Sequence, residues 1–516
     1  MHWEEQQGKA LGKERRDSSM AQKINVSPLT RIEGHLKIEV EIDKGKIVDA
    51  HCAGEMFRGW EIILKGRHPL DAQQITQRIC GVCPTSHGQA STRALDDAFG
   101  ITPPDNGRIL RNLILGADYI QSHILHFYHL AALDYVDITA ILNYQGNCPK
   151  LNKVKSWAQA EAGSGRSNAL SPFMPRYKGD YIEDQELNIA AISHYLEALE
   201  LRKKAHEALT LFAGKTPHAM AVLPGGVTEK PTVDKIAAYL SYIKELSSFV
   251  EKKYIPDVIA VAKGYPQYFG IGKGPGNFLS YGTFEENNEG TEFFLTRGVV
   301  IKGSYQEFDK MRINEYVGFS KYKSESGLHP WDGKTEPDVE KEKSYSFIKA
   351  PRYEDAVMEV GPLARTVVAY MSGKNGAVKS MIDDTCSSLG IKVSDLFSVL
   401  GRHAARALEC KRVAERCLEW VMEIKPGEPV HTPFTIPGEA EGVGFAEAPR
   451  GAVSHWIKID GQVIDLYQVV APTTWNCSPR DDKGQLGALE QALVGTPVAD
   501  VENPIEPARV VRSFDP

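Results

Sequence analysis

Cys80 and Cys83 stand three residues apart in Arg78-Ile79-Cys80-Gly81-Val82-Cys83-Pro84-Thr85-Ser86-His87, with an arginine ahead of them and a histidine behind. Two thiolates at that spacing can converge on one soft metal ion, so the segment reads as half of a metal site. The same pairing also serves in redox disulfides and arises in chance loops. A structural zinc site needs a second Cys or His pair, and Cys52, Cys148, Cys386, Cys410, Cys417 and Cys477 form no further CxxC. A thioredoxin-like motif sits at a strand-to-helix turn of a small βαβ unit, whereas here it follows two hairpin-like strands in a long chain. The spacing therefore predicts a site whose other ligands come from elsewhere. Cys410 and Cys417, seven apart on a predicted helix, stand about 10 Å apart, too far for one metal, and read as core thiols. Cys148 and Cys386 fall singly in polar segments and carry no role. Cys477 reads as a packed thiol, with a redox-sensitive thiol near the site as the alternative.

The elements that must hold these residues are mainly helical. Leu36 to Ile42 alternates apolar and polar residues, Asp43-Lys44-Gly45-Lys46 supplies a turn, and Ile47 to Ala50 returns, which predicts a hairpin. A second hairpin is predicted around Asp460-Gly461. Between them Leu110, Leu113, Ala117, Ile120, Ile124 and Phe127 recur three and four apart after the capping candidates Asp105 and Asn106. Similar stripes run through Ile189, Ile192, Leu196 and Leu199, through Ile236, Leu240, Ile243 and Val250, and from Leu396 towards Ile424. They predict an α+β fold: a large, mainly helical bundle core with small peripheral β-sheets. Segment 137–183 reads as loop, and 270–345 as a β-rich excursion.

Composition adds exclusions. The chain has 516 residues, 42% hydrophobic and 25% charged, enough for a large soluble core. A net charge of −7 gives no reason to expect nucleic acid or an anionic membrane as partner. Too few cysteines are present for a disulfide scaffold, so reduced or metal-bound thiols are expected. No apolar run approaches the roughly 20 residues that cross a bilayer. Residues 1–23 read as a disordered or mis-started extension with Met20 as a second start, and 24–516 as one compact domain. The first residues lack an apolar signal core, so an exported protein would need its address on another chain.

Several further segments carry a resemblance: Pro28-Leu29-Thr30-Arg31-Ile32-Glu33-Gly34-His35, Gly214-Lys215-Thr216-Pro217-His218, Lys349-Ala350-Pro351-Arg352-Tyr353, Glu359-Val360-Gly361-Pro362-Leu363-Ala364-Arg365, Gly401-Arg402-His403-Ala404-Ala405-Arg406, Glu447-Ala448-Pro449-Arg450-Gly451 and Arg512-Ser513-Phe514-Asp515-Pro516. With the CxxC segment, and in this order, they resemble the large, catalytic subunit of nickel-iron hydrogenases from about residue 24 onward. The resemblance implies that fold, and reversible heterolytic cleavage of H2 at a nickel-iron centre whose iron carries CO and cyanide. Cys80 is then a terminal nickel ligand, Cys83 bridges nickel and iron, and His87 hydrogen-bonds the bridging sulfur. Glu33 takes the proton, and burial among apolar groups is expected to raise its proton affinity. Arg450, beside Pro449, and Thr473 hold the cyanides. Glu61 and the carbonyl of Val469 hold a magnesium ion. Val82 and Leu130 match apolar positions on the gas path, and plain core packing explains them equally well.

No cysteine set here has iron-sulfur spacing, so the resemblance implies an iron-sulfur small subunit as partner, passing electrons to an acceptor such as a cytochrome. That subunit would also carry the export signal, which makes the expected location periplasmic, or membrane-associated only through partners, with cytoplasmic as the runner-up. In the family, Ser-Phe-Asp-Pro continues into a second CxxC with a histidine. The Gln121-Ser122-His123 run resembles the nickel-iron-selenium branch, so selenocysteine is the expected next residue, against truncation of an ordinary cysteine enzyme. The rival functions are a hydrogen-sensing regulatory subunit and a non-catalytic truncated apo-subunit.

Overall fold

The computed structural model describes residues 21–163, 180–323 and 325–516. The expected extension at 1–20 and the central part of the expected loop at 137–183 lie outside them. Three antiparallel strands open the chain: β1 (Gln22–Val26), β2 (Leu36–Asp43) and β3 (Lys46–Gly54). The boundary expected at residue 24 is therefore too late, because Gln22 and Lys23 already pair with Ile42 and Glu41. Lys44 and Gly45 both have positive φ, the geometry that matches a tight turn to the twist of its strands.

Helix α1 (Pro84–Phe99) starts at Cys83, which sits at the N-cap with Pro84 in the first turn, and ends on Gly100 in the left-handed conformation. Helix α2 (Asp105–Leu125) is capped at Pro104, not by the side chains of Asp105 or Asn106. It is buried on every face from Asn106 to Leu125 and widens into a π turn, His126–Ala131. Against it packs α3 (Gln185–Ala213), and α4 (Val233–Phe249) lies on α3; α5 (Pro362–Ser372) packs on α6 (Val399–Glu423), which is capped by the Ser398 hydroxyl and lies against α2 and α4 as well. The inward faces of α2, α3, α4 and α6 form one continuous apolar core, the expected bundle, while α5 buries its apolar face in a second cluster with Val378 and Ile382.

Segment 137–183 is not simply loop: a 3₁₀ turn at Ile138–Asn143 and a helix at Pro149–Gly163 lie within it. Leu151 and Ala158 pack with Ile141 and Ile192, and that contact outweighs the polar composition. Cys386 likewise lies buried in a helix, Gly376–Leu389. Segment 270–345 carries short strands, as its alternation predicts.

The element that completes the site is the sheet β4 (Glu439–Ala448), β5 (Gly451–Asp460) and β6 (Val463–Val470), followed by α7 (Pro472–Asn476) and α8 (Ile505–Phe514). Helix α1 lies across β4 at two glycines. A Cβ on Gly444 would stand 1.9 Å from the Ala90 carbonyl oxygen, and one on Gly442 2.2 Å from that of Ala94. Only hydrogen in place of a side chain lets the helix backbone come so close.

Candidate active site

Cys80 follows a 3₁₀ turn, Gln77–Ile79, and Cys83 begins α1. Both are buried, their Cα atoms are 5.5 Å apart, and their sulfurs are in contact as a disulfide. The pair is thus convergent. Arg58 fixes the approach from below, donating to the carbonyl oxygens of Arg78 and Ile79. Among the described residues no group of three or more His, Cys, Asp and Glu side chains is placed to hold a metal.

His87, one turn into α1, is buried, and burial together with the Arg58 charge pushes its pKa down to about 4. It is a neutral imidazole. Its Nδ1 lies 3.0 Å from His455 Nε2, His455 Nδ1 lies 2.8 Å from the Tyr467 hydroxyl, and that hydroxyl lies 2.9 Å from Ser91 Oγ. This chain ties α1 to β5 and β6 and holds the ring of His87, leaving Nε2 for another partner.

Arg450 is placed by a two-residue hairpin: Ala448 pairs with Gly451, so Pro449 and Arg450 form the tip. The guanidinium is buried. Nη1 donates to Ser122 Oγ at 3.3 Å, and Nη2 stands 3.0 Å from Asp515 Oδ1 without hydrogen-bonding geometry. Nε and Nη2 have no hydrogen-bond acceptor among the described residues, and neither does either nitrogen of the buried His403. Orphaned donors of a permanent cation fit small anionic ligands on a metal. Asp118, one turn before Ser122, is the counterweight. Burial raises its pKa to about 7, against the pull of its bond from Gln121 and of the Arg450 and Arg202 charges. Thr473 lies in the first turn of α7, half-buried.

Glu33 differs from expectation. Its side chain is exposed in this chain, at the rim of the site, because the Arg31-to-His35 segment forms an open bend before β2. It nevertheless reaches the thiols: Oε1 accepts from the Gly81 N–H at 2.8 Å, and its own N–H donates to the Pro516 carbonyl at 3.2 Å. Arg512 draws the end of α8 to the same place, pairing with both oxygens of Asp134 at 2.7 and 2.8 Å, while Arg31 pairs with Asp134 from the other side.

Glu61 and Val469 are adjacent, but the contact is from the Val469 N–H to Glu61 Oε1, 2.9 Å; the Thr335 hydroxyl meets the other oxygen. The buried Glu315 stands nearby, with Oε1 lacking a partner and the other oxygen 3.3 Å from Lys349 Nζ. Burial pushes the pKa of Glu315 up, and the Glu61 charge adds to it against Lys349. Oxygen donors with excess negative charge suit a hard divalent cation.

A family model described as nickel-dependent hydrogenase matches residues 58–516, and one described as HoxL-like matches 23–53. The chain belongs to the nickel-dependent hydrogenases. It is 44% identical to the periplasmic [NiFeSe] hydrogenase large subunit of Desulfomicrobium baculatum, covering 96% of this chain and 93% of that one. It is 36% identical to the hydrogenase-2 large chain of Escherichia coli strain K12, covering 96% of each. The solved Dm. baculatum [NiFeSe]-hydrogenase superposes with a TM-score of 0.86, covering 96% of this chain and 99% of that one. The Ni-Fe-Se hydrogenase of D. vulgaris Hildenborough in its reduced state superposes at 0.85, with 43% identity, covering 96% and 98%. The chain is a hydrogenase large subunit, an oxidoreductase acting on H2, and a large subunit implies a smaller partner. The expected fold class is the one observed.

The hydrogenase site also uses residues that motif reading passed over. His455 and Tyr467 lie on stretches of strand buried on both faces, where no alternation singles out a polar side chain. Glu315 had no local signal, and Asp515, although it lies in the quoted Arg512-to-Pro516 segment, meets Arg450 only through the fold.

Proposed function

We propose that this large subunit holds a nickel-iron centre through Cys80 and Cys83, with two further soft ligands, and cleaves H2 reversibly and heterolytically there. When bound, the centre supplies the electron-accepting metal pair at which H2 is polarised. The chain's own residues do the rest. The two thiolates hold the metals, and Cys80 lies next to the Gly81 N–H that binds Glu33. That bond is the observation that carries the reading, because it puts a carboxylate one residue from the terminal thiolate, ready to take a proton and pass it outward. A Cβ on Gly81 would stand 3.0 Å from Glu33 Oε1, so glycine keeps this approach open. Arg450, whose Nε and Nη2 have no acceptor among the described residues, would hold one cyanide of the bound centre and the Thr473 hydroxyl the other, with Pro449 beside Arg450. His87, held through Nδ1 by His455, would offer its Nε2–H to the Cys83 sulfur when the centre is bound. Glu61, with the Val469 carbonyl, holds magnesium. Electrons leave through iron-sulfur clusters in the small subunit, which also carries the export signal to the periplasm, and pass to an acceptor such as a cytochrome.

The likeness to [NiFeSe] proteins, and Ser122 where Arg450 binds, favour the selenium type for this chain. Stoichiometric selenium in the native large subunit supports it, and its absence from an active enzyme refutes it. For the centre itself, Cys83→Ser in the native complex abolishes nickel and iron incorporation, because a hydroxyl cannot replace a bridging thiolate. Glu33→Gln keeps the metals and loses turnover, with Glu33→Asp in between. Full metal content in the first variant, or unchanged H2 oxidation in the second, overturns the corresponding role.

A further inference from the structure

Arg365, in the second half-turn of α5, is 2% exposed and far in sequence from either thiol. All five of its N–H donors are used. Nε and one Nη2 hydrogen go to Glu409, at 2.7 and 2.6 Å, the other Nη2 hydrogen goes to the Pro449 carbonyl at 2.9 Å, and Nη1 serves Glu447 Oε2 at 2.6 Å and the Ala448 carbonyl at 3.0 Å. It thus binds three successive residues, 447 to 449, on the way into the hairpin tip that carries Arg450.

The partner carboxylates extend the contact. Glu409, on α6, lies 3.0 Å from His123 Nε2, and His123 adjoins Ser122, the acceptor of Arg450 Nη1. Glu447 Oε1 accepts from the Tyr281 N–H at 2.7 Å. A closed ring therefore runs from Arg450 through Ser122, His123, Glu409 and Arg365 back to Pro449. The turn at Gly361 presses on the same tip, since a Cβ there would stand 2.8 Å from the Arg450 carbonyl oxygen. A planar fork with five fixed donors can hold two carboxylates and two carbonyls at once, whereas a lysine offers one point charge and three donors.

We propose that Arg365 is the positioning residue for Arg450: it clamps residues 447 to 449 and, through Glu409 and His123, ties the hairpin tip to the Ser122 turn, fixing where the Arg450 guanidinium stands over the metal ligands. This inference rests on the proposed role of Arg450 and adds a residue that touches neither metal nor substrate. The ring has no slack at the tip, so a small displacement of the Pro449 carbonyl is passed on to Arg450. A misplacement of about 1 Å at a catalytic group costs on the order of 100-fold in rate.

The test uses the complete enzyme with its small subunit. In Arg365→Lys, nickel and iron content should match the wild type, the infrared cyanide bands should shift, and kcat should fall about 100-fold with KM unchanged. Glu409→Gln keeps the shape and removes one charge, so it should shift the same bands by less. Arg450→Lys is the reference. If it leaves the cyanide bands in place, the proposed role of Arg450 fails. If it moves them while Arg365→Lys and Glu409→Gln leave bands and kcat at wild-type values, the positioning inference alone is overturned. Loss of nickel and iron from both Arg365→Lys and Glu409→Gln overturns it too, since the ring would then serve assembly and not placement.

Discussion

Asp118 shows how far burial shapes single residues here. Its pKa of about 7 in the fold lies above the ordinary 3.8, because its charge has left water and Gln121 donates only one bond at 3.1 Å. The folded state therefore binds the proton more tightly than the unfolded chain. Stability falls as pH rises from about 4 to about 7, and the penalty is complete above that, amounting to about 4 kcal/mol at 1.36 kcal/mol per unit. Asp118→Asn stays neutral throughout, so its denaturation midpoint should gain on the wild type across that window and run parallel above it. Equal pH slopes for the two proteins would show that Asp118 is ionised and solvated. Glu409 is the opposite case. Burial works to raise its pKa, but Arg365 and His123 outweigh it and hold it down at about 2, a charged partner for the ring around Arg450.

At the scale of elements, the site depends on how closely α1 lies on β4. Cys83 and His87 ride on the first turns of α1, while Arg450 and His455 ride on the hairpin that follows β4. Gly444→Ala would place a methyl group 1.9 Å from the Ala90 oxygen. The helix must then lift, at a cost of about 1–3 kcal/mol. Thermal unfolding of the complex should fall accordingly, and nickel retention should fall with it, because the His87–His455 bond is stretched. Gly438→Ala, with nothing within 4 Å of its Cβ, is the control and should stay within about 0.5 kcal/mol. A Gly444→Ala protein with wild-type stability and metal would show that the close approach is not required.

For the whole molecule, the rim beside Glu33 carries exposed apolar side chains. Glu33 is exposed, and so are Met56 at 48% and Ile62 at 49% on the neighbouring segment. Large apolar side chains exposed together on one rim mark a face that a partner covers. Met56→Asp should weaken association with the small subunit about tenfold or more while leaving the isolated chain's unfolding unchanged. Unaltered association would place the partner on another face. Among the described residues no helix is long and apolar enough to cross a membrane.

The sequence by itself marked Cys80 and Cys83 as a convergent thiol pair, since softness and spacing follow from residue type and position, and its ordered motifs marked the family. It also determined the hairpins at Lys44-Gly45 and Asp460-Gly461, whose turn residues dictate the local backbone. Periodicity marked the bundle, because a stripe three and four residues apart has one way to be buried. Tertiary structure decided the rest. The exposure of Glu33 depends on what covers the rim, and the Arg450 environment is built from residues 122, 365, 409, 447 and 515, separated by up to several hundred positions. The helix at Pro149–Gly163 arose where composition read as loop. Local propensities amount to fractions of a kcal/mol per residue, whereas buried charge pairs and close-packed backbones are set by neighbours that only the folded chain brings together.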